Sequence, residues 1–101
     1  MSRRAGEILA IDLGTSGVKV GLLTREGELL SFSRANYALS YPREGWVEQD
    51  PEEWWAAVRT ATREVLAGQD VRQICAVCPG GQGPVLVVVD AEGRPVRPAI
   101  S

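Results

Sequence analysis

The sequence predicts an α/β fold in which an antiparallel β-meander is followed by one helix and then by further strands. Three observations predict it. Two glycine-bearing turns split the first third of the chain into short apolar runs. A capped, amphipathic stretch begins at Asp50, and apolar runs resume after it at Gln73–Val77 and Val85–Val89. With 101 residues, 45% hydrophobic and 24% charged, the composition is that of one globular domain. Such a chain hides only about 65% of its unfolded surface, so its stability is expected to be thin.

Ile8 to Leu13 is a short apolar run closed by Gly14, which reads as a buried strand. Val18, Val20 and Leu22 alternate with Lys19 and Gly21 in the next run, and Arg25-Glu26-Gly27-Glu28 separates it from Leu29–Tyr37. Glycine in both turns permits the positive φ that tight hairpins require. Pro42 to Trp46 is a loop by composition, with Trp46 as its anchor or, alternatively, as a ligand contact. Asp50 then suits an N-cap, Pro51 the first helical position, and Glu53 the third place of a capping box. Trp54, Val58, Ala61 and Val65 recur at helical spacing, which makes Trp54 and Trp55 a core face rather than a sugar-stacking platform. Gly68 ends an element of about 17 residues, ~25 Å long. Gln73–Val77 reads as a strand, Pro79–Pro84 as a glycine-rich break, Val85–Val89 as a continuous strand, Asp90–Gly93 as a turn and Arg94–Pro98 as extended. The sequence stops at Ser101, directly after the approach to another element. A truncated domain with an uncovered, association-prone sheet edge is therefore expected.

Several function classes drop out. Eleven basic and thirteen acidic residues give a net charge of −2 without a basic patch, so neither nucleic acid nor a membrane surface is an expected partner. Met1 to Glu7 has the charged look of a signal-peptide start, but the apolar run Ile8–Ile11 is shorter than the roughly 7 to 15 residues such a peptide needs. A cytoplasmic location is expected. Cys75 and Cys78 have C-x-x-C spacing, yet the chain holds no histidine and no second cysteine pair, so a zinc site lacks ligands. Three apart on a strand, they point to opposite faces and are expected to pack as small hydrophobes. Lys19 reads as an outward, solvated strand residue.

The informative segment is Asp12-Leu13-Gly14-Thr15-Ser16-Gly17-Val18-Lys19. Gly14 and Gly17 allow backbone amides to approach an anion, and Thr15 and Ser16 add hydroxyl donors. Asp12, at a strand end, can hold a hydrated magnesium ion. Together these are the needs of phosphoryl transfer. The same residues also make a plain hairpin turn with Asp12 in solvent, and taken alone they leave both readings open.

Ile11-Asp12-Leu13-Gly14-Thr15-Ser16 resembles the first phosphate motif of the actin-like ATPase superfamily. Gly45-Trp46-Val47-Glu48-Gln49-Asp50-Pro51-Glu52-Glu53-Trp54-Trp55 is similar to the G-W-x-E-Q-D-P-x-x-W-W signature of the FGGY carbohydrate kinases, the family of xylulokinase and glycerol kinase. Gly81-Gln82-Gly83-Pro84, Asp90-Ala91-Glu92-Gly93-Arg94-Pro95 and Arg97-Pro98-Ala99-Ile100 resemble further segments of that family in the right order. The resemblance thus runs from Ile8 to Ile100. It implies the opening of an RNase H-like domain and an ATP-dependent, xylulokinase-like transfer of the γ-phosphoryl to a hydroxyl of a small sugar or polyol.

By that resemblance Gly14, Thr15 and Ser16 engage the ATP phosphates, Asp12 the Mg2+ ion, and Gln82, Gly83 and Pro84 the substrate. The full-length form is compatible with a homodimer. Gly83 and Pro84 stand where xylulokinases carry Met-His and glycerol kinases Arg-Glu, so here only backbone groups and shape are offered. Pro79-Gly80 replaces the family's usual lead-in, and a proline there suits a central strand poorly. The family's W-x-D-x-R segment, catalytic base and second, adenosine-holding domain are not among these residues. Residues 1–101 are expected to be the incomplete N-terminal part of a kinase's first domain, inactive alone. The alternatives are a non-catalytic remnant and a regulatory, nucleotide-binding actin-like protein.

Overall fold

A computed structural model describes residues 6–101; the charged start at Met1–Ala5 lies outside them. Three strands open the chain: β1 (Glu7–Leu13), β2 (Gly17–Leu23) and β3 (Leu29–Asn36). They form the antiparallel meander, with Leu13 opposite Val18 and Val20 opposite Ser33. After a loop come β4 (Glu48–Gln49) and the helix α1 (Pro51–Leu66). The Asp50 carboxylate accepts a hydrogen bond from the Glu52 amide at 2.9 Å, so the predicted N-cap is in place. Beyond Ala67, Gly68 takes φ +75° and turns the chain out of the helix.

A single 3₁₀ turn (Val71–Gln73) leads into β5 (Ile74–Gly81), which runs parallel to β1. Parallel neighbours need a long crossover, and α1 supplies it. The main sheet therefore has the order β3-β2-β1-β5 and is mixed. A second, two-stranded sheet joins β4 to β6 (Ala99–Ile100).

The period-2 alternation of the meander aims Leu9, Val18, Val20 and Leu22 at one face. There they meet Ala57, Val58, Ala61 and Val65 of α1, which lies across β2 and β3. Ser33 on β3 donates to the Glu64 carboxylate and adds a polar tie between the two layers.

Several expectations are corrected. The strand read at Gln73–Val77 continues through Pro79 and Gly80 as far as Gly81, so the supposed break begins later. Pro79 fits because β5 is at the edge of the sheet formed by the described residues, the place where proline is tolerated. Val85–Val89 is not a continuous strand: it is held by the single bridges Leu86–Ile100 and Val89–Pro95. Its valines reflect an apolar run without a ladder to join. Trp55 is 59% exposed, and only Trp54 packs against the core, its ring 6.5 Å from that of Tyr37. The two tryptophans are adjacent in sequence, about 100° apart on a helix, so one can be buried without the other. Cys75 and Cys78 are exposed, not packed. Trp46 is exposed too, with the Arg43 guanidinium 5.1 Å above its ring.

Candidate functional site

Gly14-Thr15-Ser16 is the tip of the first hairpin, between β1 and β2. The Gly14 amide donates to the Gly17 carbonyl at 2.9 Å and closes it. Neither glycine uses the positive φ open to it; Gly27, in the second turn, does, at +92°. The requirement at the first turn is space. A Cβ on Gly17 would lie 2.7 Å from the Ala35 carbonyl oxygen, and one on Gly14 3.0 Å from that of Gly17.

Tyr37 props the turn from beneath. Its amide donates to the Ser16 carbonyl at 3.1 Å, and its hydroxyl lies against the carbonyl oxygens of Gly14 and Gly17, 3.0 Å from the latter. Burial, and secondarily the charge of Asp12, raise the Tyr37 phenol above its ordinary value, so it remains a donor at neutral pH. With the carbonyls tied back, the tip presents donors. Thr15 and Ser16 are exposed, and their amides have no acceptor among the described residues.

Asp12 lies one residue before the end of β1, opposite Lys19 on β2 and Gly80 on β5. It faces away from α1 and lines an open groove of about 400 Å³ together with Ala10, Lys19, Phe32, Cys78 and Gly80. Lys19 is exposed, as expected. Among the described residues no group of three metal-ligating side chains occurs. Magnesium seldom asks for one: it keeps waters and takes one or two carboxylates plus phosphate oxygens. Asp12 beside a donor-rich turn fits a hydrated ion shared with a polyphosphate.

Three segments far apart in sequence meet at Thr15. Gln49, 2% exposed, donates from Nε2 to the Thr15 carbonyl at 2.7 Å. Gln82 donates from Nε2 to Gln49 Oε1 at 3.0 Å, and its own Oε1 accepts from Thr15 Oγ1 at 3.0 Å. The Gln82 amide also donates to the Leu13 carbonyl at 2.9 Å. The sense of this ring is forced. A backbone carbonyl only accepts, so Gln49 must turn its Nε2 to Thr15 and its Oε1 to Gln82. Gln82 must then present Nε2 to Gln49, which leaves its Oε1 facing Thr15. Consequently the Thr15 hydroxyl proton is directed at Gln82 in this structure. The Ser16 hydroxyl and the two amides remain as donors.

Asp12, Gly14, Thr15 and Ser16 are thus brought to one corner, with Gln82 against them. Gly83 and Pro84 are exposed and lead away, and a Cβ on Gly83 would touch nothing within 4 Å. Sequence reasoning passed over Gln49 and Tyr37. Gln49 did carry a signal, a polar residue just before an N-cap inside the most specific motif. Tyr37 carried none, because its role depends on where β3 ends.

The profile of the N-terminal domain of the FGGY family of carbohydrate kinases matches residues 7–101. The chain belongs to this family. Over 92 residues this FGGY chain is 39% identical to the xylulose kinase of Escherichia coli K12, covering 91% of the chain and 19% of that enzyme. Over 94 residues it is 37% identical to the glycerol kinase of Aquifex aeolicus, covering 92% of the chain and 19% of the relative. A crystal structure of a xyloylose kinase from Brucella ovis superposes with a TM-score of 0.86 at 35% identity, over 93% of the chain and 20% of that protein. The FGGY chain therefore spans about a fifth of the length of the relatives it matches. Its α/β fold is that of sugar kinases with the actin-like ATPase fold. Among the described residues, no helix is long and apolar enough to cross a membrane.

Proposed function

We propose that residues 1–101 are the N-terminal part of the first domain of an ATP-dependent, xylulokinase-like kinase, which moves the γ-phosphoryl of ATP to a hydroxyl of a small sugar or polyol. The observation that carries this reading is the Asp12–Gly17 turn, where two amides without an acceptor and the Ser16 hydroxyl stand next to an exposed carboxylate. Gly14 allows the tight closure, and Thr15 and Ser16 hold phosphate oxygens through their amides. Asp12 orients a hydrated Mg2+ ion, which when bound supplies positive charge to the phosphates. Substrate selection falls to Gln82, Gly83 and Pro84, where Gln82 fixes the start of the loop and the other two offer backbone groups and shape.

A general base and a second nucleotide-holding domain belong to other parts of such a kinase. Residues 1–101 alone are inactive on this reading, since positioning and proton removal would both be lacking. The protein works in the cytoplasm, with small-molecule partners and neither nucleic acid nor membrane, and a homodimer is compatible with it. One feature favours a second reading, a regulatory or remnant protein that binds nucleotide without transfer: Gly83 and Pro84 bring no side-chain donor to a sugar.

The test is ATP consumption by the whole protein with a panel of sugars and polyols, xylulose and glycerol included, in the presence of Mg2+. Consumption with one of them, abolished by Asp12→Ala, is the expected result. No consumption with any of them, alongside tight Mg2+-ATP binding, selects the second reading.

A further inference from the structure

The hydrogen-bonded ring of Thr15, Gln82 and Gln49 joins the turn assigned to phosphate with the loop assigned to substrate. From its geometry we infer that Gln49 is a positioning residue that makes these two sites one mechanical unit, so that filling one tightens the other. The inference rests on the functional reading above and adds to it a named device for binding synergy.

Gln49 is fitted for this and for little else. It is 2% exposed, and its amide is engaged by Thr15 on one side and Gln82 on the other. Its amide carries one donor end and one acceptor end, and each is used on a different segment. If Thr15 moved to grip a phosphate, its carbonyl and hydroxyl would carry Gln49 and Gln82 with them. Gln82 is in turn anchored through its own amide to Leu13, the last residue of β1. Displacement of the turn is thereby passed to Gly83 and Pro84, and displacement of that loop is passed back. Linkage requires the effect to be mutual.

A carboxylic acid has the shape of a primary amide, and this gives a sharp test. In Gln49→Glu the protonated acid donates to the Thr15 carbonyl and accepts from Gln82, so the ring is intact. The carboxylate cannot donate, and it sets an anion against the carbonyl. The titratable groups nearest the site are Glu48, Asp50 and Glu53, which share a surface cleft with Gln49, and Asp12 and Tyr37 around the turn. They are present in wild type and in Gln49→Leu as well, so the response of Gln49→Glu at each pH is read against those two proteins.

The experiment measures Mg2+-ATP affinity of the whole kinase with and without a saturating sugar or polyol that supports turnover, using a non-hydrolysable ATP analogue. Wild type should show a synergy factor on the order of five- to tenfold, at the low end of typical coupling. Gln49→Leu should lower it towards one at every pH. Gln49→Glu should lack synergy at pH 8 and regain it on acidification towards pH 5. Three results overturn the inference: wild type without synergy, Gln49→Leu with full synergy, or Gln49→Glu following wild type at all pH values. A wild type that turns over no sugar or polyol overturns the functional reading, and the inference falls with it. If Gln49→Leu does not fold, Gln49→Glu decides alone, with its circular dichroism read at pH 8 as well: a folded variant without synergy supports the inference, and one that loses synergy only by unfolding overturns it.

Discussion

The two halves of the main sheet are made of similar material and treated differently. β2 buries Val18, Val20 and Leu22 completely, all 0% exposed, beneath α1. β5 is equally apolar in sequence, yet Val77 is 58% exposed and both cysteines are open to solvent. What differs is the cover, since α1 crosses β2 and β3 and no described helix lies over β5. The hydrophobic runs of β2 and β5 therefore announce strands without announcing their depth. Depth is set by the partner layer, and the stability of each half should follow it.

The largest effect should separate the halves directly. Leu22→Ala should cost about 2–5 kcal/mol, as buried Leu truncations do, whereas Val77→Ala should stay within about 0.5 kcal/mol, as for surface positions. Urea unfolding of the two variants checks this, and equal losses would show that β5 is covered in solution. Next comes the turn at the head of the buried half. Gly17→Ala forces a Cβ to within 2.7 Å of a backbone oxygen and should cost about 1–3 kcal/mol. It should also weaken Mg2+-ATP binding by the whole protein, which Val77→Ala should not.

Smaller is the cap that starts the covering helix. Asp50→Ala removes the acceptor of the Glu52 amide and should lower stability by about 1 kcal/mol, read from the same urea midpoints. Two titrations complete the series. Tyr37, in the covered half, has its folded value raised above 10, so its neutral form is favoured by folding. That stability is complete below pH 10 and is lost as pH rises through the higher folded value; Tyr37→Phe should remove this alkaline loss. Asp70, just before the open strand, is held down to about 2, first by its hydrogen bond to the Arg72 side chain. Its contribution is present above pH 4 and fades as pH falls towards 2, and because the pair is exposed the change in Asp70→Asn should be the smallest of all.

The same contrast explains what the sequence revealed. The meander and α1 were legible because their signals are local: alternation, two turns, an N-cap and a helical apolar stripe. Trp55 and Val85–Val89 misled because apolar character was read without its partner: Trp55 was taken as core before anything was known to cover it, and Val85–Val89 as a strand before any ladder was known to pair it. Pro79 misled in the opposite direction, because proline is excluded from a central strand but not from an edge. In the candidate site, Asp12 to Ser16 stood out through glycine and hydroxyl chemistry packed into one turn. Tyr37 was silent, and Gln49 was marked only by its place in the motif, because each acts through a carbonyl 20 or more residues away in sequence, at Gly14 and Gly17 and at Thr15. The direction of the Thr15 hydroxyl was silent too, being decided two hydrogen bonds away.

The ladder between β1 and β5 contains one irregularity: Glu7 faces Ile74 and Ile8 faces Ala76, so Cys75 is an extra residue held in a bulge. Downstream of it the pairing is regular up to Leu13 and Gly81, and Gln82 follows in the next place. The bulge thus works as a length buffer between the helix connection and the site. A residue gained or lost before Ala76 can be absorbed there, while the distance that matters, counted from Ala76 to Gln82, is left untouched.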